Sequence, residues 1–172
     1  MNGVGIPGII HPLKTIYMIE IKETKDPVLL TILNEEIQTY HHIIHPNIFK
    51  PYDKEAILSF FKTTLMSENT TAYIAMENNT AIGYVLLFNI DSKDNPFQYF
   101  RSYVLLDQIL VVKAHQGKGV GKLLLDAVYA YAGKNSIRHI ELNHWSQNES
   151  ARIFFSKNNF KYYNEKMWIE LT

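Results

Sequence analysis

The chain has 172 residues, enough to bury one core and too few for two domains of ordinary size, and its 47% apolar content excludes a disordered tail. Lys plus Arg (17) equals Asp plus Glu (17), so the basic excess that general nucleic-acid binding needs is missing. Cysteine is absent, which excludes a disulfide scaffold, a thiolate zinc site and a thiol nucleophile, and fits a reducing compartment.

The longest apolar stretch, Ala81 to Phe88, is far shorter than a membrane span and contains a glycine. Residues 1–17 are apolar, but Pro7 and Pro12 interrupt them and no basic cluster precedes them. They read as a leader ahead of Met18, or alternatively as an extension of the first strand, with residues 18–172 forming the domain. Ile16 to Lys22 alternates as a strand does. Asp26-Pro27 is a helix start, and Leu29, Leu30, Leu33, Ile37, Tyr40 and Ile44 repeat at helical spacing up to Pro46. Asp53 caps a second helix with an apolar face of Ile57, Phe60, Phe61 and Leu65, and Tyr52 is placed to staple onto Ile57.

Ala72 to Glu77 and Thr80 to Ile90 read as strands joined by Asn78-Asn79, residues that tolerate the positive φ of a tight hairpin turn. Tyr99 to Val112 has the two-sided apolar pattern of a central strand. After a glycine-rich loop, Val120, Leu123, Leu124, Ala127, Val128 and Tyr131 mark a helix that Gly133 should stop. Ile137 to Leu142 reads as a strand. Ser146 to Glu149 has the pattern of a capping box before a helix through Phe155. Phe160 to Tyr163 and Lys166 to Leu171 close the chain as expected strands. The order is that of one α/β domain.

Chemistry concentrates in the segment Gln116-Gly117-Lys118-Gly119-Val120-Gly121, between a strand and a helix. Helix starts carry unpaired amides and positive potential, and glycines let an anion approach them. Lys113, Lys118 and Lys122 add charge, with no acid from 108 to 125. A phosphate loop of the P-loop type needs four residues between its glycines and Ser or Thr after its lysine; here three separate Gly117 from Gly121, and Leu123 follows Lys122. A dinucleotide fingerprint needs glycine at 122, where Lys stands, although Glu141 lies near the distance of a ribose-binding acid.

This segment resembles the Arg/Gln-x-x-Gly-x-Gly/Ala motif of the GNAT superfamily of N-acetyltransferases. Leu106 to Val111 is similar to that family's preceding strand, and Asn148 to Phe160 to its Asn-x-x-Ala-x-x-Phe-Tyr-x-x-x-Gly-Phe segment. The resemblance covers residues 103–163. It implies a single three-layer α/β domain with a mixed, mostly antiparallel sheet, splayed between strands 99–112 and 137–143, and helices on both faces. It implies a cytoplasmic enzyme that moves the acetyl group of acetyl-CoA to a primary amine on a small molecule or protein, with homodimers a family habit. The diphosphate would sit on Gln116, Gly117, Lys118, Gly119, Val120, Gly121 and Lys122. The pantetheine arm would run along Ile109, Leu110 and Val111, near Asn148 and Ser150, for which helix capping or surface solvation is the alternative.

Asp107 falls where the family often places an acidic base, and its short side chain would act through a water. Strand alternation would put it on one face with Ile109 and Val111. A carboxylate that merely supports a bulge is the alternative. An amide near Val111 would, by the same resemblance, hold the oxyanion. Phe155 departs from the family's tyrosine and can donate no proton to the leaving thiolate; Tyr162, Tyr163 or water could replace it. That departure also admits a GNAT-like module that holds CoA without turnover. Lys113 replaces a usual proline and Asn159 a usual glycine, although Asn still takes left-handed backbone. Among His41, His42 and His45, the zinc-helix pattern fails because position 42 is not glutamate and Pro46 ends the helix, so no metal is expected. His41 lies on the apolar face with Ile37 and Ile44 and reads first as a buried, satisfied histidine; Gln38 to Phe49 also resembles a segment bordering the acceptor pocket in some members, which makes His41 a candidate substrate contact. Trp145 and Trp168 read as packing residues.

Overall fold

The computed structural model describes residues 18–171, so the reading of residues 1–17 lies outside it. A strand β1 (Ile19–Thr24) leads into α1 (Pro27–Ile44). The Asp26 carboxylate accepts from the Val28 and Leu29 amides at 2.8 and 3.3 Å, and Pro27 gives up an amide that has no partner there anyway. Helix α2 (Lys54–Thr64) is capped by Asp53, which accepts from the Ala56 amide at 3.1 Å. The hairpin of β2 (Thr70–Glu77) and β3 (Thr80–Ser92) turns on Asn78 and Asn79, at φ 49° and 63°. Then follow β4 (Arg101–Val111), a 3-10 turn at Lys113–His115, α3 (Val120–Lys134), β5 (Ile140–Leu142) and α4 (Glu149–Lys157).

The strands form one open sheet in the order β1-β2-β3-β4-β5, antiparallel throughout except for the parallel β4–β5 pair. On one face α1 and α2 bury Leu30, Leu33 and Phe61 against Ala72, Ile74, Tyr84, Leu86 and Leu110. On the other, α3 and α4 bury Val120, Leu124, Leu125, Val128 and Phe155 against Val85, Leu87, Val104 and Leu106. Among the described residues no helix is long and apolar enough to cross a membrane.

Strand β4 turns over in its middle. Leu86 pairs with Gln108 but Leu87 pairs with Leu106, so Asp107 is the extra residue of a β-bulge. Before it, Val104 and Leu106 face the α3 layer. After it, Ile109 and Val111 face that layer, and Leu110 joins the α1–α2 side. The expected strict alternation from Asp107 to Ile109 and Val111 therefore does not hold across the bulge.

Other local expectations are corrected. Helix α3 runs through Gly133 to Lys134, and the left-handed residue after it is Ser136, at φ 58°. The cap of α4 is Asn148, whose Oδ1 accepts from the Ala151 amide at 3.1 Å, while Ser146 donates to the Gln147 side chain instead. Residues 160–171 form no strand. β5 is three residues long and offers almost no edge to extend, so alternation in Met167, Ile169 and Leu171 finds no ladder. Trp168 is exposed rather than packed.

Candidate functional site

The site opens where β4 and β5 part. Their pairing ends at Leu106–Leu142, leaving the second half of β4 without a neighbour on that side among the described residues. The Val112 amide donates to the Ile82 carbonyl at 3.0 Å, so by antiparallel alternation the main-chain groups of Ile109 and Val111 point away from β3, into the gap. Leu110 turns its main chain toward β3 and its side chain into the α1–α2 core. The Gln116 side chain donates to the Val111 carbonyl at 2.8 Å, and the Lys113 amide donates to Glu36 at 3.0 Å. These bonds fix the turn that carries the chain from β4 to α3.

Gly119 caps α3 at φ 86°, and Gly117 stands at φ 74°. A Cβ at either position would meet nothing within 4 Å, so the backbone conformation is what calls for glycine. At Gly121 the reason is crowding, because a Cβ would lie 3.2 Å from the Phe154 ring. The consecutive amides of Gly117, Lys118, Gly119, Val120, Gly121 and Lys122 find no acceptor among the described residues. They stand at the positive end of the α3 dipole, on the connection from β4. Lys122 shares its charge with Asp126 one helical turn on, which leaves Lys113 and Lys118 as the cations nearest the loop that form no ion pair among the described residues.

Asp107 sits on the bulge beside the gap. Desolvation of its carboxyl raises its pKa above the ordinary value, although the residue as a whole is exposed. Phe155 is the buried residue of α4, and the His144 ring stacks over it at 6.4 Å. Tyr162 reaches His144 Nε2 at 3.1 Å, whereas Tyr163 donates to Glu141 at 2.9 Å. Asn148 spends its Oδ1 on the Ala151 amide and the Ser150 hydroxyl, the latter at 2.9 Å. Glu141 pairs with Arg101.

On the α1–α2 face lies a cavity of about 440 Å³ lined by Asn34, Gln38, Lys50, Asp53, Phe60 and Gln108, among others. His41 is not part of it. Its ring stacks on Phe49 at 4.6 Å, and burial, then His45, holds its pKa below 6.5. His45 in turn lies 4.5 Å from the Trp145 ring and meets Gln147 at 2.9 Å, so these aromatic groups tie the end of α1 to the segment before α4. Among the described residues no group of three His, Cys, Asp or Glu is placed to hold a metal ion. Sequence reasoning missed the buried Asn34–Tyr84–Gln108 cluster beneath the cavity. Its members are 24 to 74 residues apart, and each looks locally like an ordinary polar residue on an apolar element.

Residues 32–160 match the Acetyltransferase (GNAT) family. The uncharacterized N-acetyltransferase YhfO of Bacillus subtilis (strain 168) is 30% identical over 109 residues, covering 63% of this chain and 70% of that one. A mutant of the BH1408 protein from Bacillus halodurans has the same fold, with a TM-score of 0.83 at 20% identity over 88% of this chain and 99% of that one. The aminoglycoside N-acetyltransferase AAC(6')-Iy, solved in complex with CoA, follows at 0.70 and 17% identity, over 90% and 95%. The match runs from the middle of α1 through the glycine loop to the segment after α4, and on it the chain belongs to the GNAT family of acetyltransferases and is an acyltransferase.

Proposed function

We propose that the chain transfers the acetyl group of acetyl-CoA to a primary amine by direct attack, without an acyl-enzyme. The observation that carries this is the row of unpaired amides from Gly117 to Lys122, set beside the open edge of β4. In this reading those amides and Lys118 hold the diphosphate. Ile109 and Val111 pair with the amide groups of the pantetheine arm as a neighbouring strand would. Leu110 contributes by its place between them, and Gln116 by bracing the Val111 carbonyl. Asn148 and Ser150 border the arm.

The amine nitrogen attacks the thioester carbonyl, the Val111 amide receives the oxyanion, and the C–S bond then breaks to release thiolate. Asp107 takes the ammonium proton through a water. Its raised pKa suits a base better than an ordinary aspartate would. The thiolate leaves unaided by Phe155, which is feasible because a thiol pKa near ~8.5 makes it a fair leaving group. The amine enters through the cavity above Gln108, with the His41 aromatic cluster at its border. The CoA complex and the CoA-S-monomethyl-acetylneamine complex of AAC(6')-Iy support a coenzyme and amine on this fold.

The test is acetyl-CoA turnover against a panel of primary amines, beside CoA titration of wild type and Asp107→Asn. Turnover that Asp107→Asn loses at least ~100-fold, with CoA affinity kept, supports the reading. Tight CoA binding with no amine acetylated supports instead a module that only holds the coenzyme, the reading that Phe155 favours.

A further inference from the structure

We propose that the cavity on the α1–α2 face selects a monoamine with an apolar body, such as an arylalkylamine, and turns away acceptors that carry several ammonium groups. This deepens the transferase reading and rests on it. The wall is apolar. Ile57 and Phe61 of α2 line it, and so does Phe60, whose ring stays 48% exposed as a residue at a mouth does. The volume of about 440 Å³ is near the lower end of the ~300–1,000 Å³ usual for small-molecule sites. The floor is polar but uncharged. Asn34, Tyr84 and Gln108 meet there in a triangle of hydrogen bonds, at 2.9, 2.6 and 3.3 Å. Each amide spends one polar atom on the triangle and keeps the other without a partner among the described residues, whichever way round the pair stands. Asn34 is only 7% exposed, yet its spare atom is not sealed off. The floor thus offers one donor and one acceptor, enough to orient one polar group and too little to match several cations.

Charge points the same way. Among the described residues, Lys50 and Asp53 are the charged side chains that line the cavity. Asp53 accepts the Ala56 amide at 3.1 Å as the cap of α2, and Lys50 forms no ion pair among the described residues. The two charges cancel. A second ammonium inside would therefore lose water without a carboxylate of its own, and would meet Lys50 as a like charge. The other acids of these helices, Glu35, Glu36 and Glu55, do not line the cavity, and Glu36 accepts the Lys113 amide instead. The rim is also built before a ligand arrives. Gln38 Nε2 donates to the Lys50 carbonyl at 2.6 Å, the Tyr52 hydroxyl donates to the Thr31 carbonyl at 3.1 Å, and His42 Nδ1 meets the Phe49 carbonyl at 2.8 Å. These bonds to α1 hold the connection between the two helices, and Lys50 with it, so little ordering is left for binding to do.

The experiment compares phenethylamine, spermidine and kanamycin as acceptors for wild type, Phe60→Ala and Lys50→Glu, both substitutions being at exposed positions that the fold tolerates. Wild type is expected to use phenethylamine with a kcat/KM at least ~10-fold above the two polycations. Phe60→Ala should raise KM for phenethylamine about tenfold, with kcat within ~2-fold and CoA affinity unchanged. Lys50→Glu should raise kcat/KM for spermidine about tenfold and leave phenethylamine within ~2-fold. A wild type that prefers spermidine or kanamycin, a KM indifferent to Phe60→Ala, or a spermidine rate indifferent to Lys50→Glu overturns the proposal. If no amine is acetylated, it is the transferase reading that fails. Calorimetric titration of the CoA-loaded protein with phenethylamine and spermidine then decides the selectivity: tighter phenethylamine supports it, and tighter spermidine or equal binding overturns it.

Discussion

Gly119 is the residue on which the coenzyme site turns. Its φ of 86° and the open space around it mean that a side chain there strains the loop and projects where an anion would lie. Gly119→Glu is expected to weaken CoA binding by at least ~100-fold in isothermal titration, since it adds left-handed strain and a like charge. A second prediction concerns His41. Its folded pKa lies below the 6.5 of the free side chain, because burial disfavours the imidazolium. Its stabilising contribution is therefore fully present above that value and is lost as pH falls through the lower folded pKa. Unfolding free energy measured from pH 7.5 to 5 should fall in wild type and fall less in His41→Phe, which keeps the stack on Phe49.

Among the elements, glycines at two places have opposite meanings. Gly133 lies inside α3 with nothing within 4 Å of a Cβ, so Gly133→Ala should stabilise by about 0.5–1 kcal/mol through helix propensity alone. At Gly83 a Cβ would stand 2.6 Å from the Leu110 carbonyl, so Gly83→Ala should destabilise by about 1–3 kcal/mol and disturb β4 where the site opens. Thermal melts of both variants check the pair. The helix starts at Asp26 and Asp53 and the turn at Asn78-Asn79 were legible in the sequence because each is decided by a residue and its immediate neighbours. The cap of α4 was misplaced by two residues because serine and asparagine are both good caps; only Asn148 accepts an amide here, while Ser146 donates to Gln147. The strands expected after Phe160 failed because a strand needs an edge, and a sequence shows its alternation without showing whether a neighbour is there. The glycine loop was legible as an anion site because its chemistry is consecutive. The Asn34–Tyr84–Gln108 cluster was not, since it exists only once distant elements meet.

For the molecule as a whole, coenzyme binding and folding are linked. CoA at 100 times its dissociation constant adds about 2.7 kcal/mol to folding stability, or roughly 5–10 °C in Tm for a chain of this size. Scanning fluorimetry should show that rise with CoA and none with NAD, because the sheet is mostly antiparallel and lacks the doubly wound architecture of dinucleotide folds. The two apolar layers communicate through β4, which belongs to both. Its single unpaired residue at position 107 acts as a half-turn in a ribbon. Delete that residue, and Gln108 follows Leu106 in a regular ladder: each later side chain keeps its compartment, and only the kink and the carboxylate are lost. Such a deletion should therefore leave both layers packed, with a melting temperature close to wild type, while turnover is lost with the carboxylate.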